Sequence, residues 1–217
     1  MRTTHTPLPF ADHTLHFVGF DPASFHEHDL LWLPHHAQLS ASGRKRKAEH
    51  LAGRIAAVHA LGEFGHKTVP GIGAQRQPVW PQALFGSISH CASTALAVVS
   101  THPVGVDIET IFTPQTAVEL SDVIIDNHER QIMHHASLPF PLALTLAFSA
   151  KESLYKAFSA YTTHLPGFTS ANVIALTPTQ LTLQIQPLFS PNLAGRRINV
   201  RWCQRDRQVI TLCDVIF

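Results

Sequence analysis

Two long stretches with helical spacing, each followed by short strand-like segments, restrict what this chain can fold into. The run Arg44 to Leu61 carries Leu51, Ile55 and Val58 at spacings of four and three, with Lys47, His50 and Arg54 on another face. This predicts an amphipathic helix with a basic side. After Gly62 to Gly65 and the loop Pro70-Gly-Ile-Gly73 comes Gln77-Pro-Val-Trp-Pro81, where the prolines forbid a central strand. Phe85 to His90, Thr94 to Ser100 and Val104 to Thr110 have strand character and lie a few residues apart, which predicts an antiparallel meander. Asp126-Asn-His-Glu129 has the form of a capping box opening a helix, and Pro141 to Tyr161 is a longer helical stretch. Asn172 to Leu176, Leu181 to Pro187, Arg197 to Gln204 and Gln208 to Phe217 then suggest a further small antiparallel sheet.

The same succession thus occurs in residues 1–105 and again in residues 106–217. The expected fold is α+β: two similar halves in a pseudo-twofold arrangement, each a small antiparallel sheet packed with helices, with the active site at their interface. A length of 217 residues at 45% hydrophobic content allows a full core. With 16 Lys and Arg against 15 Asp and Glu, the net charge of +1 gives no reason to expect a nucleic-acid partner. Attraction to phosphate must be local.

Cys91, Cys203 and Cys213 are odd in number and lack Cys-x-x-Cys spacing, so they read as reduced structural thiols. No basic-start leader and no window of roughly 20 apolar residues is present. The expectation is a cytoplasmic monomer without an integral membrane segment, with peripheral membrane contact left open. Of the 16 histidines, the pairs His35-His36 and His134-His135 point in different directions, and no His-Glu-x-x-His pattern occurs. A zinc site is not expected, and the histidines read as surface residues that make solubility sensitive to pH.

Chemistry concentrates in two blocks. In Val104-Gly-Val-Asp-Ile-Glu109 the apolar, β-branched residues make a strand, so Asp107 and Glu109 share a face. In Phe148-Ser-Ala-Lys-Glu-Ser-Leu-Tyr-Lys156, Glu152 and Lys156 are four apart on a helix, with Lys151 one residue round the turn. Alone, that spacing is the common form of a surface ion pair. Together, Asp107, Glu109 and Glu152 offer three hard oxygens to Mg²⁺, which takes further ligands from water and a substrate phosphate. Arg46, Lys47, Arg54, Arg76 and Ser89-His90 are donors for such a phosphate. No Walker loop or Gly-x-Gly-x-x-Gly fingerprint is present.

These blocks, with Arg46-Lys-Ala-Glu-His-Leu-Ala-Gly-Arg54, Gln77-Pro-Val-Trp-Pro81 and Ser87-Ile-Ser-His90, stand in an order that resembles the 4'-phosphopantetheinyl transferases over nearly the whole length. The resemblance implies coenzyme A as donor and a serine of an apo aryl or peptidyl carrier domain as acceptor, within a siderophore-making nonribosomal peptide synthetase. Adenosine 3',5'-bisphosphate would be released, with Mg²⁺ bridging the pyrophosphate. It implies Asp107, Glu109 and Glu152 as metal ligands, with the Ile108 carbonyl added as in some relatives, and Arg46, Arg54, Ser89, His90 and Lys156 as coenzyme A contacts. Lys156 and His90 would stabilise charge, and Glu152 would orient or deprotonate the serine. Glu129 is the rival base, or simply a helix cap.

One departure is that some members place a lysine before the first proline of Pro-x-x-Pro, where it meets the 3'-phosphate. This chain has Gln77 there, preceded by Arg76, which is expected to take that role. Trp80 is expected to pack on the core rather than on adenine. Two other readings share the site: a non-catalytic module binding coenzyme A or a carrier, and a Mg²⁺-dependent pyrophosphate hydrolase. Residues 111–140 are candidates for carrier docking.

Overall fold

The computed structural model describes residues 1–159 and 167–215. The chain divides into two compact units, Met1–Pro103 and Val104–Phe217.

The first unit opens with a hairpin of β1 (Thr3–Phe10) and β2 (His13–Phe20) that the sequence analysis had not identified. Pro7 and Pro9 lie within β1, which is tolerable because β1 is the edge of its sheet and largely exposed. Short 3-10 turns then lead to α1 (Arg44–Gly62), and β3 (Gly71–Ile72) and β4 (Pro78–Val79) form a separate two-residue ribbon. β5 (Phe85–Cys91) and β6 (Thr94–Ser100) complete an antiparallel sheet in the order β1-β2-β6-β5.

α1 lies on β6, β2 and β5 through Ala48, Leu51, Ala52, Ala56, Ala57, Ala60 and Leu61. The inward face is therefore mostly alanine, which lets helix and sheet approach closely, whereas Ile55 and Val58 are only half-buried. The basic side is not a solvated face, since Lys47 and Arg54 are buried. Trp80 packs on the first core as expected, and it lies so close to β5 that a Cβ at Gly86 would come within 2.7 Å of its ring.

In the second unit, β7 (Val104–Thr110) corrects the predicted three-stranded meander. β6 already has β2 on one side and β5 on the other, so its sheet offers no edge there to a third strand. After Pro103, β7 instead pairs antiparallel with the last strand of the chain, with Val104 opposite Asp214 and Thr110 opposite Gln208. Helices α2 (Pro114–Ile124), α3 (Asn127–His135) and α4 (Phe140–Phe158) follow. Then come β8 (Ala171–Leu176), β9 (Gln180–Ile185), β10 (Arg197–Arg205) and β11 (Gln208–Asp214). The five strands are ordered β7-β11-β10-β9-β8. The predicted helix end at Tyr161 and strand end at Phe217 lie outside the described residues.

α4 packs on β7 and β11, and two features fix how closely. A Cβ on Gly105 would lie 1.9 Å from the Ser153 carbonyl oxygen, so glycine lets β7 run directly under the helix backbone. On β11, the buried Thr211 hydroxyl donates to the Ser149 carbonyl at 2.9 Å, and hydroxyls of Ser149 and Ser153 lie 2.8 and 3.1 Å from it. Each unit is an antiparallel sheet with helices packed on it, the α+β class expected from the sequence. No helix among the described residues is long and apolar enough to cross a membrane.

Candidate active site

Strand geometry settles which side chains of β7 face α4. Gly105 touches Ser153, so Asp107 and Glu109, at two-residue intervals, point the same way, and Val106 and Ile108 point away. Lys156 Nζ reaches Asp107 Oδ1 at 2.6 Å, the lysine partly exposed and the aspartate buried. Ile108 sits opposite Ile210 in the ladder with its side chain in the core, so its side chain does not reach the acidic group.

Burial pushes the Glu109 carboxyl up to about 7; Asp107 and Glu152 add to the rise and Lys156 opposes it. Glu152 is raised by burial, with Lys156 opposing and Asp107 reinforcing. Three carboxylates and one ammonium therefore act as one electrostatic group on β7 and α4. Their donor set fits a hard divalent cation: three anionic oxygens against a single lysine leave negative charge to neutralise. The three are not gathered to within 4.8 Å of one another, so an ion would draw them together. Glu152 and Tyr155 also line a cavity of about 60 Å³ with Leu154, Phe168 and Phe189.

Lys151, given no role by the sequence analysis, is a structural anchor. Its ammonium donates to the carbonyls of Ile124 at 2.7 Å and Phe168 at 3.0 Å and pairs with Glu129 at 2.7 Å. Glu129 also accepts from the backbone N–H groups of Asp126 and Val173 and from the Asn172 amide. The expected capping box is present, with Asp126 accepting from the Glu129 N–H. Burying Lys151 sets the rotation of α4, which places Glu152 about 100° round and Lys156 on the same face as Glu152. The visible signal is a lysine that directly follows the largely apolar stretch from Phe140 to Ala150 of the same helix.

The first unit carries a basic group on α1, where Arg46, His50 and Arg54 recur at helical spacing. Arg46 Nη1 lies 3.1 Å from His90 Nε2, Glu49 is 3.9 Å from the other His90 nitrogen, and His50 bonds to His35 at 2.9 Å. Arg54 donates to the Gly71 carbonyl at 3.0 Å, tying α1 to the β3–β4 ribbon. Burial drives His50 down to about 3, helped by Arg54, His35 and Arg46. Burial and Arg46 hold Arg54 at about 10. Crowded positive groups whose charged forms are disfavoured are what an anion would relieve.

Of the sequence-predicted donors, His90 joins Arg46, whereas the buried Ser89 lies on the opposite face of β5. Arg76 stands on an exposed turn with φ of 64°, its N–H donating to the Gly73 carbonyl. His35, His50 and Glu49 were not proposed as site residues, although His50 lies four residues from both Arg46 and Arg54.

Residues 35–100 match the model of the 4'-phosphopantetheinyl transferase N-terminal domain, and residues 103–213 match that of the 4'-phosphopantetheinyl transferase superfamily. The chain belongs to the 4'-phosphopantetheinyl transferase superfamily. It is therefore a group-transfer enzyme, and the two matched regions meet where the phosphopantetheinyl transferase divides into its compact units. Enterobactin synthase component D of Salmonella typhi is 63% identical over 216 residues, covering 100% of this chain and 92% of that protein. Its counterpart in Escherichia coli O157:H7 is 56% identical over 214 residues, 99% of each chain. A 4'-phosphopantetheinyl transferase of Mycobacterium tuberculosis is 34% identical over 150 residues, 65% of this chain and 64% of that one.

Proposed function

We propose that this phosphopantetheinyl transferase takes coenzyme A as donor and modifies a serine of apo aryl or peptidyl carrier domains in enterobactin-type siderophore synthesis. The name shared by relatives that match along the whole chain supports the pathway. The observation that carries the chemistry is the Lys156–Asp107 contact at 2.6 Å, with Glu109 and Glu152 coupled to it.

Asp107, Glu109 and Glu152 would hold Mg²⁺, with the Ile108 carbonyl as a further donor, and the ion would neutralise charge on the pyrophosphate. Arg46, Arg54, Arg76 and His90 bind phosphates of coenzyme A, Ser89 contributes through its backbone because its side chain lies on the other face of β5, and Lys156 and His90 balance charge as the leaving group departs. The serine Oγ forms a bond to the β-phosphorus while the bond to the bridging oxygen breaks. That electron pair leaves with adenosine 3',5'-bisphosphate. Glu152 takes the serine proton, directly or through water, a role favoured by its raised pKa. Glu129 already accepts from Asp126, Asn172, Val173 and Lys151, which argues for it as an anchor rather than the base. We place the reaction in the cytoplasm, in keeping with cysteines that lack Cys-x-x-Cys spacing, and carried out by a monomer.

The test is to incubate the protein with coenzyme A, Mg²⁺ and an apo carrier domain and weigh the carrier by intact-mass spectrometry. A phosphopantetheine-sized gain that requires Mg²⁺ is expected. Release of free phosphopantetheine without carrier would make the protein a hydrolase, and coenzyme A binding without turnover on any carrier would make it a binding module.

A further inference from the structure

A second set of ligand atoms lies in the first unit, on the segment between β2 and α1. The 3-10 turn Glu27–Trp32 starts after His26, and Asp29 comes three residues on from that cap. His26 is the extended cap of that turn, and Asp29 folds back onto it, its N–H donating to the His26 carbonyl at 2.9 Å. Asp29 Oδ2 accepts from the His26 N–H at 2.7 Å and lies 2.6 Å from the Met1 nitrogen. Its other oxygen faces His28 Nε2 at 3.7 Å. The His26 and His28 rings stack with centroids 5.4 Å apart and planes at 19°. One ligand atom from each of His26, His28 and Asp29 lies within 4.8 Å of the other two, a spacing met by no other such trio among the described residues.

We infer that His26, His28 and Asp29 form a binding site for a divalent transition-metal ion such as Zn²⁺. Two imidazole nitrogens and one carboxylate oxygen suit Zn²⁺, Ni²⁺ or Cu²⁺, whereas Mg²⁺ prefers oxygen alone, so this site is chemically separate from the acidic group of β7 and α4. Zinc bonds of about 2.0–2.2 Å place tetrahedral ligand atoms roughly 3.3 Å apart. Both histidines are exposed, so their rings are on the solvent side of the turn. The carboxylate is the fixed member, oriented by the Met1 nitrogen and the His26 N–H in the manner of an outer-shell partner. Three protein ligands leave a coordination position for water, which makes the site open and exchangeable. The motif is neither an adjacent histidine pair nor His-Glu-x-x-His, and His-x-His-Asp becomes a chelate only because a 3-10 turn folds it back.

The test is a Zn²⁺ titration of the whole protein in excess Mg²⁺, read by calorimetry and by competition with a chromogenic chelator. Wild type is compared with His26→Ala/His28→Ala, with Asp29→Asn, and with a control in which two exposed histidines elsewhere are removed, His102→Ala/His128→Ala. One equivalent should bind well above the background of the remaining histidines, vanish in His26→Ala/His28→Ala, weaken by roughly tenfold or more in Asp29→Asn, and persist in the control. The circular dichroism spectrum should be unchanged in the histidine variants, whose side chains are exposed. If wild type and His26→Ala/His28→Ala give the same isotherm, or the control loses as much, the binding is an adventitious ion only and the site is refuted.

Discussion

Lys151 Nζ lies 2.7 Å from Glu129 Oε1 with both side chains almost wholly out of water, joining the middle of α4 to the first turn of α3. Burial lowers the Lys151 pKa and Glu129 opposes that fall, so the charged lysine persists because its partner is there. Lys151→Met leaves a buried carboxylate without its cation and should lower stability by about 3–5 kcal/mol. Lys151→Met/Glu129→Gln should recover part of the loss in urea denaturation. Glu129→Gln should reduce transfer without reshaping the pH profile of kcat. Loss of the acidic limb in that variant would make Glu129 the base after all.

Gly105 should be among the least replaceable residues of β7. Alanine there puts a methyl group 1.9 Å from a helix carbonyl, and backbone cannot yield as a side-chain tip can. Gly105→Ala should cost about 1–3 kcal/mol or more and displace Asp107 from Lys156. Gly62, at the end of α1 with open space around it, is the contrast. Gly62→Ala should stabilise by about 0.5–1 kcal/mol, measured in the same urea titration. Equal effects at the two positions would contradict the packing.

Metal dependence should follow the acidic group. Mg²⁺ should raise the melting temperature of the wild type and leave that of Asp107→Asn or Glu152→Gln unmoved. Glu152→Gln should slow carrier modification by roughly 100-fold or more, if it supplies both a ligand and the base. A Glu152→Gln variant that still melts higher with Mg²⁺ would remove that residue from the metal site.

His50 gives the first unit an acid sensitivity of calculable sign. Its folded pKa of about 3 lies below the ordinary 6.5, so the unfolded chain takes the proton first as pH falls. The associated stability is fully present above about pH 6.5 and is drawn down between there and 3. His5 and His59, stacked with centroids 3.6 Å apart, are lowered in the same direction, first by burial. Glu109 works in the opposite sense, because its raised value favours the folded state on acidification. The urea midpoint should decline from pH 7 to 5, and His50→Gln should make that decline shallower. An unchanged slope in the variant would rule out His50 as a contributor.

Local chemistry was legible wherever a short-range period decided it. The two-residue period of β7 put Asp107 and Glu109 on one face, the four-residue spacing in α4 did the same for Glu152 and Lys156, and the Asp126 to Glu129 box was readable as a helix start. Partners chosen at long range were not legible. Val104 to Thr110 read as the third strand of a meander because hairpin neighbours are the usual outcome, and nothing local shows that β6 is already flanked on both sides. Pro7 and Pro9 concealed a strand that sits at a sheet edge. Lys151 stands in the sequence only as the residue one step round the turn from the Glu152–Lys156 pair, and the carbonyls of Ile124 and Phe168 reveal that it is buried.

The sequence alone therefore determined the α+β class, and the type and residue chemistry of those elements whose side-chain periodicity shows within a few residues, but not the β1–β2 hairpin or α2. The tertiary structure decided which elements pair, which charges are buried and which groups feel one another. Asp107 meets Lys156, 49 residues away, because Gly105 lets α4 settle onto β7. Arg46 meets His90, 44 residues away, because an alanine face brings α1 close to its sheet. Such couplings depend on packing distance and desolvation, and neither is a property of any local stretch of chain.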